Sequence, residues 1–240
     1  NMVKMSEQEF YDALSELGIA ITIQQKEALQ IYCDFLISEN QKTNLTAIKE
    51  PKDIYLKHFY DSLTIVRVVD FAKISNILDI GSGAGFPGMV LKIFFPSINV
   101  TLLDSNNKKI SFLKKLSSKL SLKNIDFIQD RAENYIKENR EYFDLVTARA
   151  VANLTTLSEL CLPFVKINGY FVPLKGSNEE EIKEAEYAIK TLGGQEENIV
   201  NFTLPFDGGV RNIVKIKKIQ NTPIKYTRRY EKILKNPLKK

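Results

Sequence analysis

The chain has a single histidine and only two cysteines among its 240 residues, and each scarcity removes a class of function. Cys33 and Cys161 stand far apart inside apolar or helical patterns. They offer neither a CxxC pair nor a disulfide framework, which fits a reducing, cytoplasmic setting. One histidine without a cysteine cluster argues against a metal centre. A membrane helix needs roughly 18 consecutive apolar residues, and no run approaches that; the first residues also lack the basic-then-apolar order of a signal peptide, so no membrane association is expected. Internal repeats and low-complexity segments are missing too.

What is present is enough for a buried core, with 44% hydrophobic and 26% charged residues. The length suits one main domain with a smaller N-terminal element. Net charge is +5, but it is unevenly placed. Residues 222–240 hold Lys225, Arg228, Arg229, Lys232, Lys235, Lys239 and Lys240 against Glu231, so that segment carries +6 and the rest of the chain −1. A near-neutral body with a basic tail is suited to a polyanion, because each neutralised phosphate releases counterions. A merely solubilising tail is the blander reading.

Residues 6–17 repeat apolar side chains at Phe10, Ala13, Leu14 and Leu17. That spacing predicts a helix, with Ser6 as N-cap and Glu9 completing a capping box. Similar patterns predict helices over 24–38 and 53–69. From Asn76 the texture changes to short apolar runs at 76–80, 99–104, 125–128, 143–147 and 169–174, separated by helical patterns at 87–95, 107–120, 131–137 and 154–165. This alternation predicts right-handed βαβ units and a parallel sheet covered on both faces. A helix over 179–191 and strands at 198–204 and 211–219 follow. Asp207, Gly208 and Gly209 between those strands read as a hairpin turn, so the sheet is expected to end antiparallel. The expected architecture is α/β and doubly wound, with a helical region at 1–70, a Rossmann-like core at 71–221 and a basic tail at 222–240.

The chemistry begins at ILDIGSGAGFPG, residues 77–88. A dinucleotide fingerprint needs glycine at 81, 83 and 86, and position 86 is Phe86. A phosphate loop also fails, because no Lys-Ser or Lys-Thr follows. The pattern that remains, Asp79, Gly81, Gly83 and Gly85, is that of the first strand-to-helix turn in Rossmann-like S-adenosylmethionine-dependent methyltransferases. Glycines let the backbone pass close to that cofactor's amino-acid tail and ribose, and a nearby carboxylate complements its positive charge. A tight turn with no ligand is the alternative. Asp104 ends the second strand where such folds hold the ribose hydroxyls, Asp130 follows the third strand, and Ala132 and Glu133 begin the next helix. Each is also a plausible helix cap, but all fall at the carboxyl edge where open α/β sheets bind ligands.

The fourth strand ends in TARAVAN, 147–153. It lacks the Asn/Asp-Pro-Pro-aromatic motif of enzymes acting on exocyclic amines, and Cys161 precedes Pro163 instead of following a proline as a pyrimidine-C5 nucleophile would. Arg149 could hold a carboxylate or phosphate, or form a structural ion pair. His58 and Asp61 share a helical face, as a polar cluster or as a lip of the site. No acid–base dyad emerges. Guanine N7, which carries an in-plane lone pair and no proton, is compatible with that absence, because transfer to it needs alignment more than a base.

LDIGSGAGFPG (78–88), LLDS (102–105), RAE (131–133), ARA (148–150) and LKG (174–176) resemble the GidB/RsmG family of bacterial small-subunit rRNA guanine-N7 methyltransferases. NLT (44–46), HFYDSL (58–63) and TPIKYTRR (222–229) extend the resemblance over nearly the whole chain. It implies methyl transfer from S-adenosylmethionine to 16S rRNA of the 30S subunit or its assembly intermediate, by a cytoplasmic protein expected to be a monomer. It further implies that Gly81, Phe86, Ala132, Glu133 and Arg149 contact the cofactor. Lys175, at the end of the fifth strand, is a candidate for contact with the rRNA phosphates or base, and Arg149 and Lys175 are the candidate catalytic residues. Relatives often continue the tail with Pro and Gly, where this chain has Thr227, Tyr230 and Glu231.

Overall fold

The computed structural model describes residues 5–149, 152–174, 179–206 and 208–240. Among them are seven strands: β1 Asn76–Ile80, β2 Asn99–Asp104, β3 Ile125–Gln129, β4 Phe143–Ala148, β5 Val165–Pro173, β6 Gly194–Leu204 and β7 Gly209–Lys218. They form one sheet in the order β3-β2-β1-β4-β5-β7-β6. The first five are parallel, and β7 runs antiparallel to both β5 and β6. All six side chains of β4 are buried. A strand covered on both faces reads as a continuous apolar run and not as an alternating one.

Eleven α-helical segments surround the sheet among the described residues. They are α1 Glu7–Glu16, α2 Ile23–Asn40, α3 Pro51–Ile54, α4 Asp61–Leu63, α5 Gly88–Phe94, α6 Asn107–Lys119, α7 Ala132–Asn139, α8 Leu154–Cys161, α9 Glu179–Glu184, α10 Glu186–Thr191 and α11 Tyr230–Lys235. α1, α2, α5 and α6 contribute to one core on one side, and α7 to α10 to a second core on the other. The expected capping box is present, with the Glu9 N–H donating to Ser6 Oγ at 3.2 Å and the Ser6 N–H donating to Glu9 Oε1 at 3.1 Å.

Four departures from the sequence-based ranges go beyond an end residue or two. The helix expected over 53–69 starts at Pro51 and is interrupted by a π turn, Tyr55–Tyr60, before α4 and a 3-10 turn, Thr64–Arg67. Proline is pre-set for a first helical position. The segment is buried on nearly every side, and Ser62 Oγ donates to the His58 carbonyl at 2.6 Å, a backbone acceptor that local side chains satisfy. Second, Val165 opens β5 where a helix was expected to run on. The ladder partners of β4 jump from Phe143↔Val165 to Leu145↔Tyr170, so the exposed residues 166–168 bulge out of register. Third, β6 begins at Gly194, ahead of the expected 198. After the buried Gly194, residues 195–198 are polar and exposed because β6 is the sheet's edge, so no apolar pattern marks them. Fourth, the helix expected over 179–191 divides at Ala185. The turn residue Asp207 lies outside the described residues.

Candidate functional site

Strand order reverses between β1 and β4, and the carboxyl ends of β1 and β2 lie level there, with Ile80 opposite Leu103. Loops leaving a parallel sheet at such a point diverge and leave a crevice. A cavity of about 400 Å³ fills it. Gly81 and Ile80 border it from the end of β1, Asp104 from β2, and Asp130 and Glu133 from the segment after β3. Leu157 and Leu160 of α8 form an apolar wall, and Tyr230 at the start of α11 completes the lining.

The glycine turn divides into two functions. Gly81 has φ +67°, and a Cβ built there would meet nothing within 4 Å, which leaves open space beside the cavity. Gly85 has φ +104°, and a Cβ there would collide with the Tyr32 hydroxyl and Met89. One glycine keeps the cavity open; the other lets the N-terminal helices close on the core. The turn is pinned by carboxylates. Asp79 Oδ2 accepts the Gly88 N–H at 2.8 Å, the opening amide of α5. Asp104 Oδ2 accepts the Gly83 N–H at 2.8 Å, and its Oδ1 the Asn106 N–H at 2.9 Å. A carboxylate offers about four lone-pair sites, so Asp104 keeps capacity toward the cavity it lines. Asp79 is fully buried, and its Oδ1 has no hydrogen-bond partner among the described residues. Burial raises the Asp79 pKa well above the usual carboxylate range, against the lowering effects of the Gly88 N–H and the Arg149 charge.

Beyond the turn, Phe86 is stacked with two rings. Tyr32 lies 5.3 Å from it at an interplanar angle of 6°, and His58 lies 4.2 Å from it at 8°. The Arg149 guanidinium lies 5.0 Å from the Phe86 centroid, donates to the Lys57 carbonyl at 3.0 Å, and meets His58 Nδ1 at 2.8 Å. A guanidinium can only donate, so Nδ1 carries the lone pair and Nε2–H donates to Thr46 Oγ1 at 2.8 Å. Burial first, and the Arg149 charge second, lower the His58 pKa to about 3. Asp61 sits between two cations, 3.7 Å from Arg149 Nη1 and 3.0 Å from Arg211 Nε on β7. The cluster therefore joins the N-terminal helices, the end of β4 and the last hairpin.

Of the residues singled out from sequence, the fold brings Gly81, Asp104, Asp130, Ala132 and Glu133 together on the cavity. Asp79, Gly83 and Gly85 shape the turn behind it, and Phe86 and Arg149 belong to the adjoining stack without lining the cavity. Lys175 lies outside the described residues. Sequence reasoning missed Tyr32, Arg211 and Tyr230. The first two have no local pattern pointing to the site, whereas Tyr230 was visible as a departure from the resembled tail.

The basic tail is folded against the body. Thr222 N–H donates to Glu141 Oε2 at 3.0 Å, Arg140 donates to the Ile224 and Tyr226 carbonyls, and Thr227 Oγ1 donates to the Glu159 carbonyl at 2.8 Å. Arg228 grips the buried Glu159 carboxylate through Nε at 3.0 Å and Nη2 at 2.6 Å. Arg228 is thereby committed inward, while Lys225, Arg229, Lys232, Lys235, Lys239 and Lys240 stay exposed.

This sheet order, with a glycine turn and strand-ending carboxylates around a crevice, defines a Rossmann-like methyltransferase fold. Solved structures with that fold include a SAM-dependent O-methyltransferase from Thermotoga maritima (TM-score 0.51, 16% identity, 78% of this chain and 72% of that one). A ribosomal protein L11 methylase from Lactobacillus delbrueckii is also similar (TM-score 0.52, 14% identity, 68% and 80%). The family model described as rRNA small subunit methyltransferase G matches residues 25–214. Ribosomal RNA small subunit methyltransferase G of Bacillus subtilis (strain 168) is 51% identical over 237 residues, covering 98% of this chain and 99% of that protein. The Bacillus velezensis protein of the same name is 48% identical over the same coverage. The chain belongs to the rRNA small subunit methyltransferase G family.

Proposed function

We propose that the protein transfers a methyl group from S-adenosylmethionine to N7 of a guanine in the 16S rRNA of the small ribosomal subunit, acting in the cytoplasm as a monomer without membrane association. The observation that carries this reading is the full-length match to relatives named as small-subunit rRNA methyltransferases. The residues present also fit the cofactor. The cavity pairs carboxylate acceptors with an apolar wall, and the open space at Gly81 leaves room for a ligand against the backbone.

S-adenosylmethionine supplies an electrophilic sulfonium methyl when bound. Asp104 accepts the ribose hydroxyls, Asp130, Ala132 and Glu133 border the adenine, and Gly81 offers its main chain. Asp79, Gly83 and Gly85 hold the turn in shape. Phe86 and Arg149 are assigned to the methionyl end, where a guanidinium suits a carboxylate. Guanine N7 has no proton to lose, so the chain's task is alignment and water exclusion, with no proton relay. Lys108, Lys109, Lys114 and Lys115 on α6, Lys175 and the exposed cations of the tail supply rRNA phosphate contacts, which position the substrate without reading its bases.

The decisive measurement is the modification profile of small-subunit rRNA with and without the protein. Loss of a single 7-methylguanine supports the reading. An unchanged profile sinks it in favour of a small-molecule methyltransferase, and binding to 30S subunits without radiolabel transfer from the cofactor identifies a non-catalytic binder.

A further inference from the structure

The cavity has one wall that neither the sheet nor its flanking helices supply. Tyr230 lies beyond the last strand, on a segment whose sequence reads as an arm for nucleic acid, yet it lines the same crevice as Gly81, Asp104 and Ala132. Its position is held by several anchors. Arg228, two residues earlier, is clamped on Glu159 of α8, which is itself 0% exposed. Ile233, three residues later, is 1% exposed, and Leu238 packs against the same core as α8. A side chain on a loose tail would be placed by chance; this one is fixed on both sides.

We propose that the C-terminal segment is a latch over the cofactor cavity, with Tyr230 as its contact to the adenine of S-adenosylmethionine and the Arg228–Glu159 pair as its fastening. This rests on the methyltransferase reading above. The chemistry of the wall favours a flat heterocycle. Tyr230 shares the lining with the apolar Leu157 and Leu160 and with the carboxylates of Asp130 and Glu133. Aromatic rings pack well on nucleobases whatever the base's hydrogen-bonding edge, and tyrosine loses little conformational freedom in doing so. The tail then has two faces, with Tyr230 on the cofactor cavity and Glu231 and Lys232 exposed to solvent.

The test is calorimetry of S-adenosylhomocysteine binding to the full chain, alongside melting of the unliganded protein. Tyr230→Ala is expected to weaken binding at least about tenfold, while Tyr230→Phe stays within about threefold of wild type. Tyr230→Trp gives a second readout, because the 240-residue chain contains no tryptophan. The emission of that variant should change on adding S-adenosylhomocysteine. Equal affinity of wild type and Tyr230→Ala overturns the proposal, as does indole emission from Tyr230→Trp that is indifferent to saturating ligand, even if the alanine variant melts early. Failure of the wild type to bind S-adenosylhomocysteine strikes the methyltransferase reading itself and removes the latch with it.

Discussion

Gly81 and Gly85 share a turn and a positive φ, yet substitution should separate them. At Gly81 an added methyl meets open space and costs only the left-handed backbone, about 1 kcal/mol, while intruding on the cavity. At Gly85 it meets the Tyr32 hydroxyl and Met89, inside packing that cannot relax cheaply. Gly85→Ala should therefore lower stability by about 2–4 kcal/mol in denaturant titration, and Gly81→Ala should mainly weaken S-adenosylhomocysteine binding. The reverse ranking would contradict the division of the turn. His58 gives a second residue-scale expectation. Its folded pKa is lowered to about 3 from 6.5, so it stays neutral where the unfolded chain takes up a proton. Stability from this group is complete above pH 6.5 and is lost as pH falls toward 3. The groups facing it are the Arg149 guanidinium, which opposes its protonation, and Thr46, with Asp61 reached only through Arg149. Wild type should lose melting temperature faster than His58→Gln over that window; parallel curves would remove His58 as the cause.

At the scale of elements, the tail is the clearest case. Arg228→Ala leaves the Glu159 carboxylate buried without its cation, which costs about 3 kcal/mol and unfastens the segment after Pro223. Brief trypsin treatment should then cut at Lys225 or Arg229 in the variant and spare the wild type. The central strands were legible because each is an apolar run stopped by a punctuating residue, Asp104 for β2 and the glycine turn for β1. For the same reason the carboxylate side of the cavity was legible, since strand ends and sheet edge follow from one pattern. β6 was read short because an edge strand wears polar residues that look like a loop. The stack of Tyr32, Phe86, His58 and Arg149 was illegible, since its partners are brought together only by the docking of the N-terminal helices. The tail's charge was visible, but its Arg228 partner lies 69 residues away on α8.

For the whole molecule, the cations near the cavity set the expected dependence on salt. Lys108 lies in the first turn of α6, just past Asp104, and Arg229 and Lys232 flank Tyr230. Replacing these three by alanine should weaken binding to small-subunit rRNA across sequences and reduce the slope of log K against log salt by about 0.7–0.9 for each phosphate no longer neutralised. An unchanged slope would place the rRNA elsewhere on the surface. The Asp61–Arg211 pair carries a different consequence, because its partners are 150 residues apart in the chain. During synthesis at about 5–20 residues per second, Asp61 leaves the ribosome on the order of ten seconds before Arg211 exists. Until then its buried carboxylate has at most Arg149 for company. The Asp61 link between the N-terminal helices and the sheet is therefore complete only once the last hairpin, which carries Arg211, has been made.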